Sequence, residues 1–299
     1  MQLEFGLTGN TIDGNIVASV IKSRVKKEID DKKSKGLVIP SLATVLVGDD
    51  PASAIYVKNK QKAAADVGIR TKDHRLGSNI NHKEIIELVM KLNRDPDVHG
   101  ILVQLPLPEA INEADVINTI RPSKDVDGLT QTNAGMLFNG TATLVPCTPL
   151  GIMQLLDYYK IELESIDAVV VNRSNLVGKP LAILLLQRNA SVMVCHSKSK
   201  NLVDKIKAAE LIVTAVGNRE KFALNSRMVK DGAIIIDVGI SRLMGRPVGD
   251  VEDFESMKEK ASWITPVPGG VGPMTIAMLL SNTVLAASQS TSNGETKYV

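Results

Sequence analysis

One lysine in the first half of the chain occupies a position where an amphipathic helix normally buries apolar side chains. The periodicity of residues 50–67 is that of a helix, with Asp50 as its cap and Pro51 in its first turn. One face carries Ala52, Tyr56, Lys60, Ala63 and Val67, with Ser53 at its edge. Burial disfavours the ammonium form of a lysine, which would suit Lys60 to proton transfer near neutral pH. Spacing alone leaves open a second interpretation, in which the lysine stem covers apolar surface and its ammonium reaches water.

A second set of polar residues follows a predicted strand and a predicted turn. Residues 99–103 form a mainly apolar run that ends in Gln104 and a proline pair, which indicates a buried strand. Ligands of parallel sheets gather beyond the carboxyl ends of the strands, so Gln104 and the helix after residues 42–47 are expected on one side. Asp125 and Asp127 lie in a polar loop that, taken alone, is typical of a solvated turn.

The second half of the chain contains a strand, loop and helix in the order typical of dinucleotide binding. Residues 168–171 are apolar, residues 172–180 form a loop with a glycine, and an apolar helix follows over residues 181–186. Such a loop places a helix N-terminus against a pyrophosphate. The usual G-x-G-x-x-G is absent, and Asn172 stands where its first glycine would be, so the pattern by itself is a weak indication.

The residues after the next strand indicate which dinucleotide is bound. The strand at 191–195 is followed by His-Ser-Lys-Ser-Lys, which contains hydroxyls and cations but no carboxylate. An acidic residue at this point would bind the 2′-hydroxyl of NAD. With Arg173 one strand away, the composition favours the 2′-phosphate of NADP.

Strands and helices alternate along the chain, which predicts an α/β protein whose parallel sheets are covered on both faces. Its 299 residues suggest two domains. We predict a catalytic domain of residues 1–147 with a C-terminal helix at 273–288, and a Rossmann-like doubly wound domain at 148–272. A glycine-rich loop at 266–275 permits close backbone approach to a ligand. Residues 289–299 are predicted to be a disordered tail.

Composition argues against several classes of protein. The net charge is only +2 and basic residues alternate with acidic ones, so neither nucleic acid nor a membrane surface is expected as a partner. Cys147 and Cys195 have no metal-ligand spacing, which predicts reduced thiols and a cytoplasmic location. No signal peptide or transmembrane helix is predicted, because neither pattern of apolar residues occurs.

Four motifs together resemble the bifunctional methylenetetrahydrofolate dehydrogenase/cyclohydrolases. They are Ser53-x-x-Tyr56-x-x-x-Lys60, Val103-Gln104-Leu105-Pro106-Leu107-Pro108, Lys124-Asp125-Val126-Asp127-Gly128 and the loop at 266–275. The resemblance extends over about residues 9–287. It implies NADP-dependent oxidation of 5,10-methylenetetrahydrofolate to the methenyl form, followed by hydrolysis to 10-formyltetrahydrofolate. A dehydrogenase without cyclohydrolase activity is the main alternative, and a folate- or nucleotide-binding module without turnover is another.

The same resemblance implies roles for individual residues. Folate would lie in a cleft between two α/β domains, where Tyr56 stacks on the pterin-side rings, Lys60 is the general acid/base, Gln104 hydrogen-bonds Lys60, and Asp127 binds the pterin amino groups. Further substrate contacts would come from Ser53, Val103, Leu105, Pro268, Gly269, Gly270, Val271 and Gly272. The NADP contacts would be Asn172, Arg173, Ser174, Ser197 and Ile240, although most members have glycine in place of Asn172. No metal is expected. A homodimer, with residues 190–194 as a candidate contact, and a role in one-carbon metabolism and purine biosynthesis are also implied.

Overall fold

The computed structural model describes residues 9–292. Within this range the strands are β1 Asn10–Thr11, β2 Ser41–Val47, β3 Arg70–Leu76, β4 Gly100–Val103, β5 Asp167–Val171, β6 Ser191–Cys195, β7 Leu211–Thr214, β8 Ile234–Asp237, β9 Ser241–Leu243, β10 Arg246–Val248 and β11 Trp263–Ile264. The α-helices are α1 Gly14–Ser34, α2 Pro51–Val67, α3 His82–Arg94, α4 Glu113–Thr119, α5 Gln131–Phe138, α6 Cys147–Tyr158, α7 Gly178–Gln187, α8 Leu202–Ala208, α9 Phe254–Lys260 and α10 Val271–Ser292.

The chain divides into two compact units, and each consists of two separate segments of the sequence. The nucleotide unit, as we call it here from its strand–loop–helix pattern, contains the residues up to Ala18 and Thr148–Thr275. The lysine unit, named for Lys60, contains Ser19–Cys147 and the residues from Ile276 onward. Helices α1 and α10 each begin in the nucleotide unit and end in the lysine unit.

The lysine unit is built around a parallel sheet in which, over the described residues, the strand order is β3-β2-β4. Strand β2 lies in the centre and every one of its residues is buried, which explains its continuous apolar run. Val45 pairs with Val103 and Val47 with Leu76, so the carboxyl ends of the strands meet at one edge. Helix α2 and Gln104 both follow these ends, as the sequence predicts.

The nucleotide unit contains a parallel sheet whose strand order, among residues 9–292, is β1-β11-β8-β7-β5-β6. The chain passes from β5 to β6 on one side and then returns to β7 on the other side of β5. The direction of winding therefore reverses between β5 and β7, where doubly wound sheets bind their ligands. The predicted α/β class and the Rossmann-like sheet are confirmed.

The ends of the predicted domains differ from the units of the structure. Residues 9–18 were expected with the catalytic domain, but β1 pairs with β11, and the amide of Ile12 donates to Ile264 O at 2.8 Å. Residues 289–292, predicted as tail, continue α10, while residues 293–299 lie outside the described part of the chain. The sequence also predicts a helix at 225–230, but the structure has only a 3-10 turn there, Ser226–Met228.

Helix α10 is the one segment of the described chain that is long and apolar enough to cross a membrane. The relevant stretch is Val271–Ser290, and 61% of it is buried inside the protein. Burial to this extent is typical of a core helix in a globular protein, where the apolar residues pack against the rest of the fold.

Candidate active site

Helix α2 carries Lys60 into the interior of the lysine unit. The Asp50 carboxylate caps the helix by accepting from the Ser53 amide at 2.8 Å, and Gly68 ends it with a φ of 90°. The buried face consists of Ser53, Val57, Lys60, Ala63, Ala64 and Val67. Lys60 is 9% exposed, so the structure favours the buried lysine over one that reaches water.

Tyr56 is an exception to the predicted face. It is 42% exposed, and Val57 takes the buried place that the periodicity gave to Tyr56. The side chain of Ala52 lies outside the described part of the structure. The exposed phenol ring one helical turn before Lys60 remains available to stack on a flat ligand.

The ammonium of Lys60 has a defined partner. Its Nζ donates to Gln104 Oε1 at 3.1 Å, as the resemblance implies. Gln104 is held in turn at the end of β4, because its amide donates to Val45 O at 2.8 Å and its Nε2 donates to Leu105 O at 2.6 Å. An amide oxygen can accept a hydrogen bond from an ammonium and from a neutral amine alike.

The loop that carries Asp127 is held by an asparagine that the sequence analysis did not identify. Asn282 of α10 is buried, and its Nδ2 donates to Val126 O at 2.9 Å and to Val145 O at 3.0 Å. The first of these bonds fixes the backbone immediately before Asp127. An asparagine within a strongly apolar helix is the only sequence signal that could have found it.

The buried thiol of Cys147 lies close to both Lys60 and Asp127. Its thiol donates to Val126 O at 3.3 Å. Burial and the nearby charge of Asp127 raise the pKa of Cys147 well above its ordinary value, while Lys60 acts in the opposite direction. All three side chains therefore lie in one region. The thiol stays protonated, as is typical of a cysteine packed in the interior.

Asp125 and Asp127 have different surroundings although they are two residues apart. Asp125 is buried and accepts from the amides of Leu129 and Thr130 at 3.1 and 2.8 Å and from Asn133 Nδ2 at 2.9 Å. Burial raises the pKa of Asp125, and these hydrogen bonds act to lower it. Asp125 is thus a structural residue, whereas Asp127 is half-buried.

The remaining predicted substrate residues fall into two groups. Ser53 and Val103 are buried and Leu105 is half-buried in the lysine unit. The predicted loop at 268–272 belongs to the nucleotide unit, and its last two residues are already the start of α10. In that loop Gly269 O accepts from the Gly14 amide at 2.9 Å; Gly270 and Val271 are buried, whereas Pro268 and Gly272 are exposed.

In the nucleotide unit, Asn172 organises the loop between β5 and α7. Its Nδ2 donates to Ala215 O at 2.5 Å, and its Oδ1 accepts from the amides of Ser174 at 2.7 Å and Gly178 at 3.2 Å. The Ser174 hydroxyl accepts from the Val177 amide at 3.1 Å. The amides at the start of α7 are thus already engaged within the loop, contrary to the expected pyrophosphate site at this helix N-terminus.

Exposed side chains beside this loop fit a phosphate group. Val171 pairs with Cys195, so Arg173 and Ser197 each lie two residues beyond neighbouring strand ends. Both side chains are exposed, and no carboxylate occurs among residues 196–200. A guanidinium and a hydroxyl at adjacent strand ends are suitable donors to the 2′-phosphate of NADP.

The ends of β7 and β8 form the other side of the sheet reversal. Gly217 has a φ of 61°, and a Cβ at this position would lie 3.5 Å from Ile240 O. Ile240, a predicted cofactor contact, is exposed. Two carboxylates beneath these loops, Asp237 and Asp250, were not identified from the sequence, because each acts on backbone amides that are distant along the chain.

Two family models match the chain over most of its length. The catalytic domain of tetrahydrofolate dehydrogenase/cyclohydrolase matches residues 12–127, and the NAD(P)-binding domain of the same enzymes matches residues 146–291.

Individual proteins are similar over nearly the whole chain. Bifunctional protein FolD of Nitrosopumilus maritimus is 55% identical over 289 residues, which cover 97% of this chain and 100% of that protein. The crystal structure of bifunctional FolD from Campylobacter jejuni has a TM-score of 0.90 and 48% identity, and the match covers 94% of this chain and 99% of that one. A Trypanosoma brucei FolD structure, complexed with NADP cofactor and an inhibitor, has a TM-score of 0.89 and 34% identity, with 95% and 99% covered.

Proposed function

The chain belongs to the tetrahydrofolate dehydrogenase/cyclohydrolase family, and from that membership we propose which of its residues perform each chemical step. It is a bifunctional enzyme that oxidises 5,10-methylenetetrahydrofolate with NADP and hydrolyses the resulting 5,10-methenyltetrahydrofolate to 10-formyltetrahydrofolate. Lys60 handles the protons of the second reaction. The observation that carries this assignment is the 3.1 Å hydrogen bond between the buried Lys60 Nζ and Gln104 Oε1.

In the first reaction a hydride leaves the methylene bridge and a methenyl cation remains. NADP, when bound, accepts this hydride. The task of the protein is to hold the rings in register, and such positioning needs no metal ion. Tyr56 would stack on the folate, and Arg173, Ser174, Ser197 and Ile240 would hold NADP. Asn172 contributes by fixing the loop that carries Arg173 and Ser174.

In the second reaction a water molecule adds to the methenyl carbon and the ring opens. The neutral amine of Lys60 takes one proton from the attacking water as the carbon–oxygen bond forms. The resulting ammonium then donates that proton to N5 as the carbon–N5 bond breaks, and the hydroxyl proton of the intermediate leaves to solvent. Gln104 keeps the Lys60 nitrogen in place in both protonation states.

Asp127 orients the substrate. Its carboxylate accepts two parallel hydrogen bonds from the pterin amino edge, which is a bidentate match. Asn282 supports this contact by holding the backbone at Val126. Ser53, Val103, Leu105 and the residues at 268–272 complete the substrate contacts in this proposal.

We also propose a homodimer that forms through β6. Within residues 9–292 this strand is at the edge of its sheet, and Met193 and Val194 are exposed along it. An open strand edge can pair with the same strand of a second copy about a twofold axis. The two buried, free thiols support the cytoplasmic location, where 10-formyltetrahydrofolate would supply formyl groups to purine biosynthesis.

Replacement of Lys60 tests the cyclohydrolase assignment. Lys60→Met keeps the length of the apolar stem and removes the proton-carrying nitrogen. We expect hydrolysis of methenyltetrahydrofolate to fall by about 10²- to 10⁴-fold, the usual contribution of general acid–base catalysis, with a smaller effect on NADP reduction.

Lys58→Met is the matched control, because Lys58 lies on the exposed side of the same helix. Hydrolysis is followed by the loss of methenyl absorbance without NADP, which also distinguishes the bifunctional enzyme from a dehydrogenase alone. Equal hydrolysis rates in the two variants would remove Lys60 from the mechanism.

A further inference from the structure

Two buried carboxylates lie beneath the loops that follow β7 and β8. Asp237 is the last residue of β8, and Asp250 lies two residues beyond β10. They are 2% and 0% exposed. The mechanism described above uses neither of them. Buried carboxylates are destabilising unless their oxygens are hydrogen-bonded, so the partners of these two side chains indicate what they are for.

Asp250 holds the end of β7. Its two oxygens accept from the amides of Val216 at 2.7 Å and Gly217 at 2.9 Å. Arg219 fixes the segment of Asp250 from another direction, because its guanidinium donates to the carbonyls of Gly249, Val251 and Glu252.

Asp237 joins this segment to the end of β8. One oxygen accepts from the amides of Gly239 at 3.1 Å and Asp250 at 2.9 Å, and the other accepts from Val251 at 2.8 Å. Asp237 therefore positions the backbone of Asp250, whose side chain positions Gly217. The two carboxylates connect three segments that are separate in sequence.

Two glycines are required by this arrangement. A Cβ on Gly239 would lie 2.2 Å from the Asp250 carboxyl carbon, and a Cβ on Gly249 would lie 2.0 Å from Asp237 Oδ2. Contacts this close exclude any side chain. The carboxylates thus pack directly against the backbone that they hold, and little room is left for the loops to shift.

These loops form one side of the sheet reversal where the nucleotide is expected to bind. Gly217 adjoins Ile240, and the nearby Ala215 carbonyl accepts from Asn172, so the same backbone also connects to the loop with Arg173 and Ser174. A displacement at β7 would therefore move two groups of NADP contacts at once.

We propose that Asp237 and Asp250 are positioning residues for NADP, which hold the ends of β7 and β8 in the conformation that binds the cofactor. They act through the backbone of Gly217, Gly239 and Ile240 and do not touch the cofactor. This inference rests on the NADP-dependent dehydrogenase function. Carboxylates are required because both of their oxygens accept hydrogen bonds from backbone amides. An asparagine in the same place would direct its own N–H group at one of these backbone N–H groups.

The ionisation of the pair agrees with this role. Burial raises the pKa of Asp237 to about 6, with hydrogen bonds from Val251 and Asp250 lowering it and the charge of Asp250 raising it. Burial also raises the pKa of Asp250, against the hydrogen bonds of Val216 and Gly217 and the charge of Arg219. Above pH of about 6 the Asp237 carboxylate is ionised and complementary to its three amide donors.

Asp250→Asn tests the proposal, because the two activities separate cofactor binding from the rest of the enzyme. In this variant the Asn Nδ2 donor faces the N–H donor of Val216 or Gly217, so one hydrogen bond is lost. A lost buried hydrogen bond of this kind corresponds to a rise of about 5- to 150-fold in the KM for NADP. Hydrolysis of methenyltetrahydrofolate, which uses no NADP, should stay within about twofold of the wild type. Asp231→Asn is the control: Asp231 is an exposed carboxylate of the same unit, and its replacement should change neither activity.

Asp237→Asn is the second variant and should raise the KM for NADP less, because Asn Oδ1 can keep the bonds from Gly239 and Asp250. The wild type is assayed first, so a failure of NADP reduction there would concern the proposed function alone. An unchanged KM for NADP in both variants would overturn the inference. So would a parallel loss of both activities, or the failure of both variants to fold, since either result would assign the carboxylates a purely structural role.

Discussion

Asn282 offers a quantitative test of how the Asp127 loop is held. Asn282→Leu preserves the shape of the side chain and removes the Nδ2 donor, so the Val126 and Val145 carbonyls lose their bonds of 2.9 and 3.0 Å. A buried polar group that loses its partner destabilises the fold by about 1–3 kcal/mol, which gives about 2–6 kcal/mol for two. Val126 O keeps the Cys147 thiol at 3.3 Å, so we expect about 2–3 kcal/mol in total.

Equilibrium urea unfolding measures this change, with Thr283→Val as the control. Thr283 is the next residue of α10, is equally buried, and donates only to Leu279 O one turn back at 2.7 Å. Removal of the Thr283 hydroxyl should therefore lower the free energy of unfolding by less than about 1 kcal/mol. The KM of the cyclohydrolase reaction for methenyltetrahydrofolate should rise in Asn282→Leu, because the backbone before Asp127 is no longer fixed.

Equal free energies of unfolding for Asn282→Leu and Thr283→Val would refute the role assigned to Asn282 in holding the Asp127 loop. A large loss of stability with an unchanged KM for methenyltetrahydrofolate would refute only the link to substrate binding, since the loop would then hold Asp127 without Asn282.

Two further predictions concern the nucleotide unit. The pKa of Asp237 is about 6 in the folded protein against an ordinary 3.8, so the folded state binds more protons between these values, and this carboxyl lowers the free energy of unfolding as pH rises through that window. Relative to Asp237→Asn, which cannot titrate at this position, the free energy of unfolding of the wild type should fall by about 3 kcal/mol between pH of about 4 and 7, as measured by urea unfolding. A difference in unfolding free energy between wild type and variant that does not change with pH would contradict the raised pKa of Asp237. Met193→Asp places a charge on the exposed edge of β6 and should convert the proposed homodimer into a monomer in sedimentation experiments; a wild type that is already monomeric at micromolar concentration would exclude the dimer.

Several features of the fold and site could be predicted because they leave local patterns. The buried position of Lys60 follows from helical periodicity, and the place of Gln104 follows from the proline pair that ends its strand. Residues 196–200 indicated the correct cofactor, because the absence of a carboxylate is visible within five consecutive positions. Each of these inferences needs only neighbours in the sequence.

Other features depend on contacts between distant parts of the chain. Asn282 and Val126 are separated by 156 positions, and Asp250 is 34 positions from Val216, so no periodicity relates them. Tyr56 was misplaced because Tyr56 and Val57 are both plausible at the border of an apolar stripe, and only packing decides between them. Helices α4 and α9 have seven residues each, too few for a 3.6-residue period to be evident.

The way α10 closes the lysine unit has a consequence for how the protein is made. Domains are generally completed in the order in which the ribosome synthesises them, from the N-terminus. Here the carbonyls of Val126 and Val145 accept from Asn282, which is 156 positions after Val126 in the chain. Most of the lysine unit is translated before the nucleotide unit, but these two hydrogen bonds cannot form until residues 148–275 have been synthesised and Asn282 has followed them.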